Sequence, residues 1–223
     1  MNDKIIIIGN GFDLAHGLPA KYSDFLLWYI NKSIIDHKEH PDRRIANELI
    51  QINDDGYRVP PLISLNDLSR RKEIQPLGFF FKEIVNQYKN GNWVDIEYQY
   101  YSELVKIYKL YEKYDTERNA SFEDKVDELN KSFEFLKNSL IEYLKQINYS
   151  DIRAIEQIKQ HIIKEQEFVN GTKKRSNSII YLVFNYTKTL DLYKGYVDTE
   201  HDKIIYIHGE LDNNSNPVIF GYG

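Results

Sequence analysis

Four consecutive isoleucines, Ile5 to Ile8, run straight into Gly9-Asn10-Gly11. β-branched side chains are stiff at χ1 and pack well on a pleated surface. A short apolar run closed by glycine is therefore a strand, over Lys4 to Ile8. Because it does not alternate with polar residues, it is expected to be buried on both faces, as in a parallel sheet. The glycines then open a turn into a helix beginning near Phe12, which Gly17-Leu18-Pro19 must end. Strand, glycine turn and helix at the start of a chain form the entry to a nucleotide-binding α/β fold. Backbone N–H groups at such a turn attract anions, and glycine lets a ligand come close.

The rest of the chain supplies the other strands late and many helices between. A helix is expected over Tyr22 to Lys32 and another near Arg43 to Ile52, followed by a loop broken by Pro60 and Pro61. Leu77 to Lys89 and Trp93 to Tyr114 read as helices. Ser121 to Ile147 is the clearest: Phe122, Val126, Leu129, Phe133, Leu136, Leu140, Tyr143 and Ile147 step by four and three, a heptad that wants a partner helix. Ser121 is its expected cap, with Asp124 at the third position. Asp151 to Phe168 is expected as one more helix, capped by Ser150. Strands return at Ser178 to Phe184, Lys203 to Ile207 and from Val218, with a short helix over Thr187 to Tyr196. The expected architecture is α/β, a Rossmann-like, mostly parallel sheet from residues 1–32 and 171–223, with a large helical insertion over 33–170. The chain stops on an unfinished strand, so a C-terminal part is expected to be missing. The heptad leaves two outcomes open, an intramolecular bundle or a homo-oligomer through the helical region.

Composition removes several function classes. With no cysteine there is no disulfide, thiolate nucleophile or cysteine-held zinc. A net charge of −5 disfavours binding along a nucleic-acid backbone, though not a small anionic ligand held by backbone N–H groups. The opening apolar run is too short for a secretory signal or a membrane span. The cytoplasm is the expected compartment, with no membrane partner. His37 and His40 have helical ligand spacing, but Pro41 follows and no third ligand is evident, so no metal is expected.

The candidate site gathers at predicted strand ends, where ligands bind in open parallel sheets. Gly9, Asn10, Gly11, Phe12, Asp13 and His16 follow the first strand. Asn185 and Thr187 follow the second, and His208 and Gly209 the third. The dinucleotide pattern Gly-x-Gly-x-x-Gly fails at Leu14, and no Gly-Lys-Ser/Thr loop is present. Each residue also has a plainer reading. The two glycines can serve tight packing, Asn185 or Thr187 can cap a helix, and His208 can be an ordinary turn histidine. Trp93 and Glu97 lie one helical turn apart, and Trp93 can be core as readily as a stacking platform.

Gly9-Asn10-Gly11-Phe12-Asp13-Leu14-Ala15-His16-Gly17-Leu18-Pro19 resembles the sirtuin loop Gly-Ala-Gly-x-Ser-x-x-x-Gly-Ile-Pro. Phe184-Asn185-Tyr186-Thr187 is similar to the sirtuin Thr-x-Asn-x-Asp segment, and His208-Gly209 to its His-Gly. The full set, with Trp93-Val94-Asp95-Ile96-Glu97, resembles the AbiH-type bacteriophage abortive-infection proteins across nearly the whole chain. That resemblance implies a bacterial antiphage role. Val183 and Thr187 stand where sirtuins carry Thr and Asp, Ala20-Lys21-Tyr22 replaces Asp-Phe-Arg, and the structural zinc cannot form. Lysine deacylation is therefore not expected. Sirtuin-like defence domains that cleave NAD also lack that zinc and depend on an Asn and a His, which the resemblance maps onto Asn185 and His208.

NAD is thus the expected substrate or ligand. Breaking the nicotinamide–ribose bond builds positive charge on the ribose, while neutral nicotinamide leaves without strong acid help. A base that works near neutral pH suits histidine, here His208. Asn185 would position the ribose or a water. Asp13 suits ribose hydroxyls and repels phosphate. Two other functions remain in view, a nucleotide sensor without turnover and a module whose heptad helix binds a phage-derived or host protein trigger.

Overall fold

The computed structural model describes residues 4–39, 44–53, 59–89, 96–113, 119–162, 167–169, 172–174, 178–197 and 200–220. In chain order the elements are β1 (Lys4–Ile8), α1 (Asn10–Ala15), α2 (Tyr22–Glu39), β2 (Arg44–Ala46), β3 (Ile50–Asn53), β4 (Ile74–Pro76), α3 (Phe79–Lys89), α4 (Ile96–Lys113), α5 (Asn119–Lys145), α6 (Glu156–Ile162), β5 (Glu167–Val169), β6 (Thr172–Lys174), β7 (Ile179–Val183) and β8 (Lys203–Tyr206). Two 3-10 helices, Leu65–Arg70 and Thr189–Tyr196, complete them. The chain forms two compact units, one from Met1–Lys21 with Leu144–Ile219, the other from Tyr22–Tyr143 with Phe220–Gly223. The expected insertion began at 33 and ran to 170; the second unit runs from 22 to 143 before its short C-terminal addition.

The first unit holds a parallel sheet in the order β1-β7-β8. Lys4 pairs with Ile179 and Ile8 with Val183, and Val183 pairs in turn with Tyr206. Residues paired this way share a face. Ile8, Ile179, Tyr181 and Val183 lie on one face and pack with Ile162, Leu190, Tyr193 and Val197. On the other face Ile5 and Ile7 are 60% and 69% exposed. The expectation of a strand buried on both faces therefore fails. β1 is an edge strand among the described residues, and the apolar core of its unit covers one side of the sheet. β7 shows the same one-sided pattern less strongly, with Ile179, Tyr181 and Val183 buried and Ile180 and Leu182 half-buried on the other face.

Several local expectations change. Helix α2 runs on past Lys32 to Glu39. The helix expected near Arg43 to Ile52 is instead the hairpin β2–β3, with β4 added antiparallel. Ile50-Gln51-Ile52-Asn53 alternates buried and half-buried, the strand period. Asn47 makes its turn: the side-chain oxygen accepts the N–H groups of Leu49 and Ile50 at 2.9 Å each. Asp151 to Phe168 is not one helix. α6 starts only at Glu156, and Phe168 lies in the hairpin β5–β6, where Val169 pairs with Thr172. Asn170-Gly171 is a short hairpin signal in the sequence. Val218 to Phe220 is irregular chain rather than a fourth strand.

The heptad resolves within the second unit. Ser121 lies inside α5, so it is not the cap. Leu129, Leu136, Leu140 and Tyr143 are buried. Phe133 stacks on Tyr100 of α4 at 4.3 Å and meets Phe80 of α3 at 6.2 Å. Tyr143 sits 5.9 Å from Phe25 and 5.3 Å from Trp28 of α2. Helices of the same chain thus partner this face, and polar changes at Leu129 or Leu136 strike a core. Among the described residues no helix is long and apolar enough to cross a membrane.

Leu136 is fully buried. Leu136→Ala is expected to lower stability by about 2–5 kcal/mol. Urea denaturation followed by far-UV circular dichroism checks this; an unchanged midpoint contradicts the bundle packing.

Candidate functional site

The described residues expected at the site all belong to the first unit, so its geometry can be read directly. β1 ends at Ile8, and Gly9 stays extended while its carbonyl accepts the Phe12 N–H at 2.8 Å. α1 is six residues long, so its dipole is small. Gly17, at φ +77°, ends it, donating its N–H to Leu14 while Leu18 donates to Asp13. At Gly9 and at Gly11 an added Cβ would meet nothing within 4 Å. Among the described residues, packing therefore does not require either glycine, and these residues leave the space beside this backbone open.

Asp13 points the other way, into the protein, and is 2% exposed. The Thr187 hydroxyl lies 2.7 Å from each of its carboxylate oxygens. The Thr187 hydroxyl is also 3.1 Å from that of Thr189. Burial raises the Asp13 pKa above its usual 3.8 and outweighs Thr189, Thr187, Asn185 and His16, which all favour the charged form. A segment following β7 thereby holds the loop following β1.

Asn185 lies beside this cluster, 5% exposed, with neither its amide nitrogen nor its oxygen in a hydrogen bond. It is close enough to pull on the Asp13 titration yet falls short of hydrogen-bond geometry. A buried amide left this way costs about 1–3 kcal/mol. Such a group marks a place where a polar partner belongs.

His16 is fully engaged. Its Nδ1 is 2.6 Å from the Phe12 carbonyl, and its Nε2 is 2.7 Å from the Tyr193 hydroxyl. With Nδ1–H on the carbonyl, Nε2 accepts the Tyr193 O–H, whose oxygen accepts the Ile155 N–H at 2.8 Å. The Phe12 ring packs on both, 4.7 Å from His16 and 5.5 Å from Tyr193. This chain of contacts ties α1 to the 3-10 helix at Thr189–Tyr196 and to the lead into α6. Tyr193 and Thr189 were not singled out from sequence. The helical spacing of Thr189, Leu190 and Tyr193 on one buried face was the available signal.

His208 follows β8, half-buried between Phe184 at 5.6 Å and Tyr186 at 5.5 Å. Its Nδ1 is 3.1 Å from the Tyr186 hydroxyl. Burial lowers its pKa below 6.5, which keeps the ring neutral at pH 7. Asn185 stands between Phe184 and Tyr186 in sequence, so His208 and Asn185 are held by one short segment. Gly209 is buried at φ +76°, and a Cβ there would lie 2.1 Å from the Pro217 carbonyl oxygen. The returning segment donates Ile219 N–H to the His208 carbonyl and receives Glu210 N–H at Asn216. Asn10 lies in the first turn of α1. Trp93 lies outside the described residues, as does His40. Glu97 is in the first turn of α4, in the other unit. No group of three or more His, Cys, Asp or Glu suited to a metal occurs among the described residues.

A parallel sheet with polar side chains gathered after its strand ends places the first unit among α/β proteins. The family description "Bacteriophage abortive infection AbiH" matches residues 5–223, and the chain belongs to that family. No curated protein and no solved structure matches it.

Two outcomes test this geometry. Asp13 has a raised folded pKa, so its protonated form favours the fold, and that contribution is lost as pH rises through the folded value. Asp13→Asn should therefore be more stable than the parent at neutral pH, the gap closing below the unfolded pKa; urea midpoints across pH 3.5 to 7, taken as ~3.9 for the unfolded carboxyl, check it. Gly209→Ala should cost at least about 1–3 kcal/mol from the left-handed backbone alone. An unchanged melting temperature would contradict the close approach of Pro217.

Proposed function

We propose that the chain binds NAD in a Rossmann-like, sirtuin-like manner at the ends of β1, β7 and β8 and cleaves its nicotinamide–ribose bond as part of abortive infection. The observation that carries this reading is the buried Asn185 amide without a hydrogen-bond partner. An amide offers two donors and an acceptor, the complement of a sugar hydroxyl or an attacking water. The open space beside Gly9 and Gly11 supports close approach of a ligand to the backbone. Asp13 keeps negative charge near the developing cationic ribose and disfavours phosphate there.

In the proposed step the bond between C1′ of the ribose and N1 of nicotinamide breaks. The bonding pair stays on N1, turning the pyridinium into neutral nicotinamide. A water oxygen bonds to C1′, and His208 takes its proton and passes it to solvent. The products are nicotinamide and ADP-ribose. The lowered pKa of His208 keeps the base form available at neutral pH. Asn185 holds the ribose or the water, contributing orientation rather than a proton.

The engagement of His208 with Tyr186 and Phe184 also supports a second reading, in which the histidine forms a pocket wall of a sensor without turnover.

Incubation of the protein with NAD, supplied with phage lysate as a source of trigger, distinguishes the two by chromatography of nicotinamide. Release is expected, with His208→Ala and Asn185→Ala each lowering it by about 10²-fold or more while retaining the parent melting temperature. Stoichiometric binding without release points to the sensor. Release unaffected by either substitution overturns both residue roles.

A further inference from the structure

Two histidines of the first unit each meet a tyrosine hydroxyl through a ring nitrogen, and the two contacts differ in length. At His16 the direction is fixed by chemistry. The Phe12 carbonyl beside Nδ1 can only accept, so Nδ1 carries the proton and Nε2 accepts the Tyr193 O–H, at 2.7 Å. At His208 the Nδ1 atom lies 3.1 Å from the Tyr186 hydroxyl. Hydroxyl donors make the shorter hydrogen bonds, whereas an N–H donating to oxygen spans about 2.7–3.2 Å. The longer contact fits the opposite polarity, with Nδ1–H donating to the phenol oxygen. Phe184 and Tyr186 meet the imidazole at 62° and 73°, with centroids 5.6 and 5.5 Å away, and so hold its plane. The imidazole is only half-buried, and Phe184 beside it is 40% exposed, so the ring is within reach of a ligand.

We infer that Tyr186 is a positioning residue for His208: its phenol oxygen accepts the Nδ1–H and leaves the ring's lone pair on Nε2. Use of that lone pair as a base rests on the NAD-cleaving reading above; the tautomer does not. Which imidazole nitrogen holds the proton is set by the hydrogen bond that the other makes. Were the phenol the donor, it would occupy the lone pair at Nδ1, and Nε2 would have a proton to give rather than a place to receive one. With the phenol as acceptor both charge states are served. When Nε2 takes the proton of the attacking water, the imidazolium donates from both nitrogens, and the bond from Nδ1 to Tyr186 persists unchanged. Nε2 then passes that proton to solvent and the ring returns to its starting form. Burial displaces the His208 titration. The groups that titrate nearby are the Tyr186 phenol itself and Glu210, two residues on, whose carboxylate accepts from Asn213 and Asn216.

Nitrogen NMR of protein labelled in its histidines, with His208→Gln to identify the signal, reads the tautomer and needs no ligand. The expected result is that neutral His208 in the parent carries its proton on Nδ1 and a lone pair on Nε2. Tyr186→Phe keeps the ring that packs on the imidazole and removes the hydroxyl. It should lower the ratio of Nδ1–H to Nε2–H forms about fivefold. It should also move the His208 titration to lower pH, because the cation loses an acceptor while the neutral ring can change tautomer. A tyrosine that only packs would move neither. A parent with its proton on Nε2 overturns the assignment without any variant, and so does an unchanged ratio in Tyr186→Phe. Under conditions where the parent releases nicotinamide from NAD, kcat of Tyr186→Phe should fall in step with its loss of the Nδ1–H form, with KM unchanged. An altered ratio with unaltered kcat overturns the positioning role. The expected tautomer and its loss in Tyr186→Phe, with no cleavage by the parent, remove the NAD reading and leave the Tyr186 contact standing. Cleavage by a parent whose His208 holds its proton on Nε2 removes the Tyr186 assignment alone.

Discussion

The buried contact between Asp13 and Thr187 joins residues far apart in sequence, and the site is organised around it. One side fixes the loop that leaves β1, the other the segment that leaves β7. The contact is electrostatically expensive, since a carboxylate is kept from water with hydroxyls as its main partners. The His16–Tyr193–Ile155 chain braces the same loop from behind through neutral groups. One attachment is built of neutral groups and the other of a buried carboxylate and hydroxyls, and the unpartnered Asn185 amide lies two residues before Thr187. Local rules of satisfaction break most often at functional places.

Much of the sheet was legible because its strands are β-branched and bounded by turn residues. Lys4–Ile8, Ile179–Val183 and Lys203–Tyr206 all lie within the strands expected from sequence. Their burial was less legible: the run Ile5 to Ile8 looks buried on both faces, yet what covers a strand depends on chain elsewhere. The errors cluster where short elements compete with helical propensity. Arg44 to Asn53 contains enough helix formers to mislead, and the hairpin is decided by the turn chemistry of Asn47. Phe168 is expected in a helix because Asp151 to Phe168 is rich in helix formers, and the hairpin β5–β6 takes it instead. The heptad of α5 was clear, whereas its partners in α2, α3 and α4 required coordinates.

The site divides in the same manner. Strand-end logic brought Asp13, Asn185, Thr187 and His208 into one unit, because parallel strands send their C-terminal ends to a common edge. It did not reveal which of them is engaged. His16 is a brace with both ring nitrogens occupied, and Thr187 grips Asp13. Asn185 looks like a helix cap in sequence, but in the fold its amide has no backbone N–H to receive.

The two halves of His208-Gly209 carry different kinds of information. Any side chain at Gly209 would collide with the returning backbone at Pro217, so the fold alone enforces glycine there. Finding that glycine in another sequence reports that the same loop closes over the same strand end. It is a signature of architecture, mute about chemistry. A motif search that scores the pair as a unit therefore counts shared shape as shared activity. Discrimination between an enzyme and an inert descendant of the same fold has to come from the imidazole and from the amide at Asn185, which no backbone contact compels.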